Sequence, residues 1–468
     1  MCITMSVFAQ QEYSMHFLRD VWNSNYTNPG LQPYQTFFIT GTSIGTSVSF
    51  KGTGDTPLFL EQADGRFRPN YQGIVDNLDE DFRVRTNLSA ELFGVGFKVK
   101  QLFFSLNTAT KANAQIVFPK DIFELAWYGN EPFIGETVEF GPSLDIEAYQ
   151  ELALGVNYTF NRKFSAGIRA KRLIGIFNAS TTTDELSLTT GENHYETTIT
   201  TDYVANISSS FLNIVAPADG KLTNTQADFN QTALDNILQN RQLPDGNSGW
   251  AGDLGVSMNL KDRVEVSLSA LDLGYIEWTN GVSGLQTTGT FNFDGLTLAQ
   301  ATSGDIVSFV SVQDSLINLL TVSDVPGNTF RKNLSPKFYA SALLKYGYWQ
   351  LGGMWYNELS NGELISSIGL SGRYVLDDKL SLGAVYAYHD GRFDNFGVNT
   401  AFRLGPLQIH VVVDNIFPLF NPERMEYTNI RAGFNLVFGT KKMRKYREGR
   451  MDEPESPDGD SEDNSESN

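Results

Sequence analysis

The chain has 468 residues, of which 41% are hydrophobic and 19% charged, and its formal charge is −19. That acidic balance is wrong for nucleic acid, whose phosphates need a basic face. No apolar run reaches the ~18 residues of a membrane-spanning helix, so the length points to about two or three soluble domains or to one large barrel.

The opening MCITMSVFAQQ reads as the tail of a secretory signal, with Val7-Phe8-Ala9 as the cleavage site before Gln10. Residues 1–9 are therefore expected to be a signal remnant. Cleavage would remove Cys2, the one cysteine, and leave no disulfide framework. Residues 10–33, with WNSNYTNPGLQP, form a loop-like stretch too short to be a domain.

From residue 34 onward a period of two takes over. In LALGVNYTFNRKFSAGIRAK (152–171), Leu152, Leu154, Val156, Tyr158 and Phe160 share one parity. After Asn161-Arg162-Lys163 the pattern restarts with Phe164, Ala166, Ile168 and Ala170. Side chains of a strand alternate between its faces, so this is a hairpin with one apolar and one polar face. The same parity places strands near 34–50, 81–93, 101–112, 148–160, 164–174, 249–260 and 264–278. It places seven more near 335–346, 349–358, 363–375, 380–389, 395–405, 406–415 and 427–438. Each is about ten residues long, the length a tilted strand needs to cross a bilayer.

The connections add an asymmetry. Tight turns (NRK, KDR, YGYW, LDDK, GP) alternate with longer loops near 175–248, 279–334, 389–394 and 415–426. Outer-membrane barrels have short periplasmic turns and long external loops. Tyr158, Phe160 and Phe164 flank one turn, and Tyr346, Tyr348 and Trp349 another, as in an interfacial girdle. The expected fold is an all-β transmembrane antiparallel barrel of about 14 strands over residues 34–440. It would sit in the outer membrane of a Gram-negative bacterium, among its lipids, with both termini periplasmic.

Helical patterns interrupt the loops. FPKDIFELAWYGN (118–130) reads as a short helix stopped by Gly129-Asn130. Two more lie at 227–240 and 305–322. In the latter, Ile306, Phe309, Val310, Leu316, Ile317 and Leu320 make an apolar stripe that either lines a ligand pocket or caps the barrel mouth. After the last strand, residues 441–468 run from basic KKMRKYREGR to an acidic end and are expected to be a disordered periplasmic tail. Its basic run meets anionic head groups or a periplasmic partner, or is simply solvated.

The polar parity predicts charged side chains facing the lumen: Arg83, Arg85, Glu91, Glu151, Arg169, Lys171, Asp253, Glu265, Lys337, Lys345, Arg373, Arg403, His410, Asp414 and Arg431. Such a ring either selects a charged solute or pairs with itself and with a segment filling the lumen. Enzyme chemistry finds little support. His16, His194, His389 and His410 lack metal-ligand spacing, NLDED and DGRFDN match no calcium loop, and no Ser-His pair can be argued. No metal, cofactor or catalytic residue is expected.

FPKDIFELAWYGN, YQELALGVNYTF, GIRAKRLIGIFNAS, LDLGYIEWTNG and GPLQIHVVVDNIF together resemble an uncharacterised family of Bacteroidota outer-membrane barrels, from about Asn28 to Phe438. The architecture is similar to the FadL-like fatty-acid transporters and to PorV-type barrels of the type IX secretion system. Many of those carry an N-terminal hatch with an Asn-Pro-Ala motif. Asn28-Pro29-Gly30 stands at that place with glycine for alanine, which makes 10–33 the expected hatch. The resemblance implies passive uptake of a small hydrophobic or amphipathic molecule. Its alternative is a non-transporting barrel that docks a periplasmic or cell-surface protein.

Overall fold

The computed structural model describes residues 13–439 apart from 55, 62–65, 79–80, 162, 193–195, 216–225, 233–234, 236–245, 261–262, 294–320, 327–328, 361–362, 377–378, 390–391 and 422–426. The signal remnant, the charged tail and the stripe Ile306, Phe309, Val310, Leu316, Ile317 and Leu320 lie outside the described residues.

The period of two becomes fourteen wall strands. They are β1 (Phe37–Lys51), β2 (Phe82–Val99), β3 (Leu102–Phe118), β4 (Ser143–Thr159), β5 (Phe164–Thr190), β6 (Ser248–Leu260) and β7 (Val264–Trp278). Then come β8 (Lys337–Tyr346), β9 (Trp349–Ser360), β10 (Glu363–Leu376), β11 (Leu380–His389), β12 (Arg392–Leu404), β13 (Leu407–Asp414) and β14 (Tyr427–Phe438). Each pairs antiparallel with the next. The ring shuts where Phe37 of β1 pairs with Phe438 of β14. Closure gives each wall strand a hydrogen-bonded neighbour on both sides and leaves the ring without a free edge, which a hydrocarbon solvent demands.

The two faces differ as the parity predicts. Leu152, Leu154, Ile168, Leu268, Ile368 and Leu370 are exposed on the outside, whereas Ala153, Arg169, Ser267 and Ser367 are buried on the inside. Apolar residues outside and polar ones inside invert the pattern of a water-soluble domain, so the barrel is of the transmembrane type. No helix among the described residues is long and apolar enough to cross a membrane.

Bulges shift the register at several places in the wall, at Thr40/Ser43, Glu91/Phe93, Ala148/Tyr149, Gly252/Leu254 and Ala387/His389. In β2 the register slips between Glu91 and Phe93, so Phe93 and Phe97 face outward where the sequence pattern expects Leu92. Between β6 and β7 it slips again at Gly252/Leu254, and Asp272 takes a left-handed φ of 58°.

The loop end is more ordered than expected. β5 runs past residue 174 to Thr190 and pairs with the strand Thr197–Ser209. That strand pairs with Val282–Phe293, which in turn pairs with Thr321–Pro326. Thr-rich stretches such as STTTDELSLTT favour strands, so the wall continues into both large loops. The helical pattern at 227–240 is shifted at its start: Gln226–Phe229 is a strand paired with Leu212–Val215, and the described residues Gln231, Thr232 and Asp235 are helical. In so short a segment, apolar spacing does not separate helix from strand. The helix read at 118–130 forms over Lys120–Tyr128 and ends at Gly129, whose φ is 76° and whose N–H donates to Leu125 O at 3.0 Å.

Candidate functional site

Residues 13–33 occupy the lumen. A helix, Tyr13–Phe17, and a 3-10 turn, Trp22–Tyr26, present apolar side chains to apolar patches of the wall. Tyr13 and Phe17 pack among Tyr339, Leu343, Met354, Tyr356 and Ile365. Met15, Leu18 and Val21 meet Ala401 and Val412. Trp22 stacks on Phe38 and Phe103, with ring centroids 4.1 and 5.2 Å away.

Polar bonds fix the segment's orientation. Arg373 donates to Phe17 O and pairs with Asp20, Arg19 pairs with Glu265 at 3.1 Å, and the Ser14 N–H donates to Asp414 at 3.1 Å. Glu91 accepts from Asn23 at 2.7 Å and from the Tyr26 hydroxyl. His16 meets Thr27 Oγ1 at 2.7 Å and Ser341 Oγ at 2.8 Å. This Ser-His pairing spans 325 positions and has no local sequence signal. All three side chains are buried between segment and wall, which makes the contact a positioning one. Burial, and after it the charge of Arg19, holds the His16 imidazole well below its usual value, so it is neutral.

The Asn28-Pro29-Gly30 turn is tied to the wall at β4 to β7. Asn28 Nδ2 donates to Val256 O at 3.3 Å and Leu268 O at 3.2 Å, while its Oδ1 accepts from Gly30 N–H at 2.7 Å. Asn157 donates to Pro29 O at 2.8 Å, Ser165 to Gly30 O at 2.7 Å and Ser269 to Thr27 O at 2.6 Å. Opposite the turn the wall carries Gly167 and Gly255, a paired couple on β5 and β6. A Cβ on Gly167 would overlap Pro29 O, and one on Gly30 would overlap the Gly255 backbone. Glycine at position 30 is thus a steric requirement of this seat.

Beside the segment lies a network of buried charge. Lys171 Nζ is 2.6 Å from Asp272, 2.8 Å from Asp253 and 3.7 Å from Glu151. Lys111 pairs with Glu151 at 2.8 Å and Lys337 with Asp272 at 3.1 Å. Arg169 pairs with Asp253 at 3.3 Å and donates to Asn25 O at 3.0 Å, joining network to segment. A cavity of about 90 Å³ opens between Tyr26, Lys111, Tyr149, Asp272 and Lys337. Asp272 and Lys337 also line a second, of about 50 Å³, where Lys332 pairs with Asp145 and Glu147. Desolvating these charges is costly, and mutual pairing offsets that cost.

The remaining charged positions are spread over the wall. Lys345 pairs with Glu265 at 2.7 Å. Arg85 bonds to Gln115 at the second cavity, and Arg431 lines the first. His410 is fully buried, and among the described residues neither ring nitrogen has a hydrogen-bond partner. Arg83 pairs with Asp81 at 3.6 Å near the loop end. Arg403 bonds to Gly405 O and Val437 O at the turn end. Sequence reading missed Lys111, which shares the inward parity of Ser105, Asn107 and Ala109 and was open to detection. It also missed Asp272, Arg19 and Asp20, which only the bulge and the segment's path bring inside.

Outside the same wall is an apolar groove of about 380 Å³, with Ala270 and Ala340 between Leu254, Leu268, Phe338 and Trp355. It reaches Gly255, Val256, Leu268 and Ser269, the stretch that holds the Asn28 turn on the inner face.

Among solved structures, a FadL homologue of Pseudomonas aeruginosa aligns at 10% identity and TM-score 0.42, covering 89% of this chain and 94% of its own. The Ralstonia pickettii toluene transporter TbuX aligns at 9% and 0.42, with coverages of 89% and 94%. The Pseudomonas putida toluene transporter TodX aligns at 9% and 0.40, with 89% and 93%. Likeness of this degree says nothing of what the present chain binds. No curated protein matches the sequence. Residues 29–414, well over half of the chain, match a family described only as a family of unknown function, DUF5723, and the protein belongs to that family.

Proposed function

We propose that this protein is an outer-membrane barrel admitting small hydrophobic or amphipathic molecules passively, with residues 10–33 as its hatch. The observation that carries the reading is the seat of Asn28-Pro29-Gly30. The turn that fills the lumen is bonded to the inner face of a wall whose outer face is the apolar 380 Å³ groove. A ligand with an apolar body and a polar end would find a surface for each on the two sides of that wall. Short turns would face the periplasm and the sheet-bearing loops the exterior.

Liposome swelling with residues 10–33 deleted tests this. The intact barrel should admit a short-chain carboxylic acid slowly and the deletion variant several-fold faster. Equal rates would remove the hatch from the account.

A second reading has its own support. The buried pairs of Lys111, Lys171, Asp253 and Asp272 close much of the lumen, which suits a barrel that docks a partner protein and transports nothing. A deletion variant as impermeable as the parent would favour it.

A further inference from the structure

The short helix Phe417–Phe420 has a composition that water does not explain. Phe417 and Leu419 are each 52% exposed and Phe420 81%, and only Pro418 is buried. Its placement follows from the chain. β13 ends at Asp414, and Asn415 then takes a left-handed φ of 62°, a conformation asparagine tolerates better than most residues. Asn415 Nδ2 donates to Tyr427 O at 3.0 Å and Thr428 Oγ1 donates to Asn415 O at 3.1 Å, so the reversal is fixed to β14. The Ile416 N–H donates to Phe396 O at 2.9 Å, which ties the helix start to β12.

The Phe417 ring then lies 6.3 Å from that of Phe396. Phe396 shares its parity with Val398 and Phe402, both exposed on the outer wall, so the helix continues the barrel's apolar outer surface. The wall needs such an extension here. β13 has 8 residues, the fewest of the fourteen strands, whereas a strand crossing a bilayer needs ~9–11. A short wall leaves a hydrophobic mismatch at its top. An apolar helix there fills it.

We propose that Phe417–Phe420 is a membrane-dipping anchor whose partner is the acyl-chain region of the leaflet at the loop end of the barrel, with Phe420 reaching deepest. Continuity with the lipid-facing wall selects lipid over a second copy of the chain as the occupant.

The test places a nitroxide at Phe420→Cys in a Cys2→Ser background, in phosphatidylcholine vesicles, and compares its collisions with oxygen and with a water-soluble nickel chelate. Reference labels go at Ile409→Cys on the wall and at Glu136→Cys in a loop. The 420 label should match the 409 label, with an oxygen-to-nickel ratio several-fold above that at 136. A ratio equal to that at 136 would overturn the anchor. So would dipolar broadening at 420 that vanishes on dilution with unlabelled protein, since a second copy would then cover the helix. A label at 409 that reads as aqueous would remove the membrane setting, and the anchor with it.

Discussion

Lys171 and Asp272 lie 2.6 Å apart although their strands, β5 and β7, are not neighbours. β6 runs between them, and its Asp253 accepts the Asp272 N–H at 2.8 Å while pairing with Lys171. The bulge that gives Asp272 its left-handed backbone is what turns its carboxylate into the lumen. Three strands already joined by their backbone ladders are thereby fastened again from inside.

Removing that carboxylate leaves Lys171 and Lys337 each short of a partner in a buried site. Asp272→Ala is expected to cost about 3–5 kcal/mol, read as a lower urea midpoint for the barrel in detergent. Asp81→Ala, which removes the exposed partner of Arg83, should cost about 0–1 kcal/mol. Equal effects from the two would mean that the network carries no special share of stability.

Gly30→Ala probes the seat of the N-terminal turn. The new methyl meets the Gly255 backbone, which has no side chain to move aside, and such overpacking costs about 1–3 kcal/mol. The segment should loosen while the wall stays intact. Single-channel recordings should show openings more frequent than in the parent, with the unfolding midpoint of the barrel unchanged. An unchanged opening frequency would mean that the turn yields without leaving its seat.

Acid should act on the same segment through His16. The seated imidazole is neutral because burial, and then Arg19, disfavour its charged form. A detached segment would titrate near the ordinary 6.5. The sign follows: seating is at full strength above about pH 6.5 and weakens below it, where the detached form binds a proton that the seated form refuses. The slope approaches about 1.4 kcal/mol per pH unit. Thr27, Ser341, Arg19, the stacked Tyr339 and the edge-on Phe17 face the ring. Trypsin cleavage at Arg19 should speed up between pH 7 and 5.5, relative to a control substrate, and His16→Gln should flatten that response. A parent protein with a flat profile would rule His16 out.

The ring of strands was legible because alternation is local: each strand declares its faces within ten residues, without knowledge of its neighbours. Bulges are a different matter. The extra residue near Leu92 and the turned backbone of Asp272 depend on which strand lies opposite, so parity counted along one strand drifts past them. The segment's seat is further still from local reading, because Asn28 finds its acceptors at Val256 and Leu268. The motif marked the place. Only the paired glycines 167 and 255 explain why alanine is excluded at position 30.

The outward face offers the plainest test of the solvent around the wall. Leu154 on β4 is 58% exposed, and its neighbour Ala153 points into the lumen. If hydrocarbon surrounds the barrel, Leu154→Arg places a charge in it and costs about 2–4 kcal/mol at mid-depth. Leu154→Phe keeps the face apolar and should be nearly neutral. In water the order would reverse, since a half-exposed arginine on a strand is harmless and an added phenylalanine is not. Folding yield into vesicles and the urea midpoint of the folded fraction measure both. A tolerated arginine at 154 would place this wall in water, because lipid contact is the one condition under which that position must stay apolar.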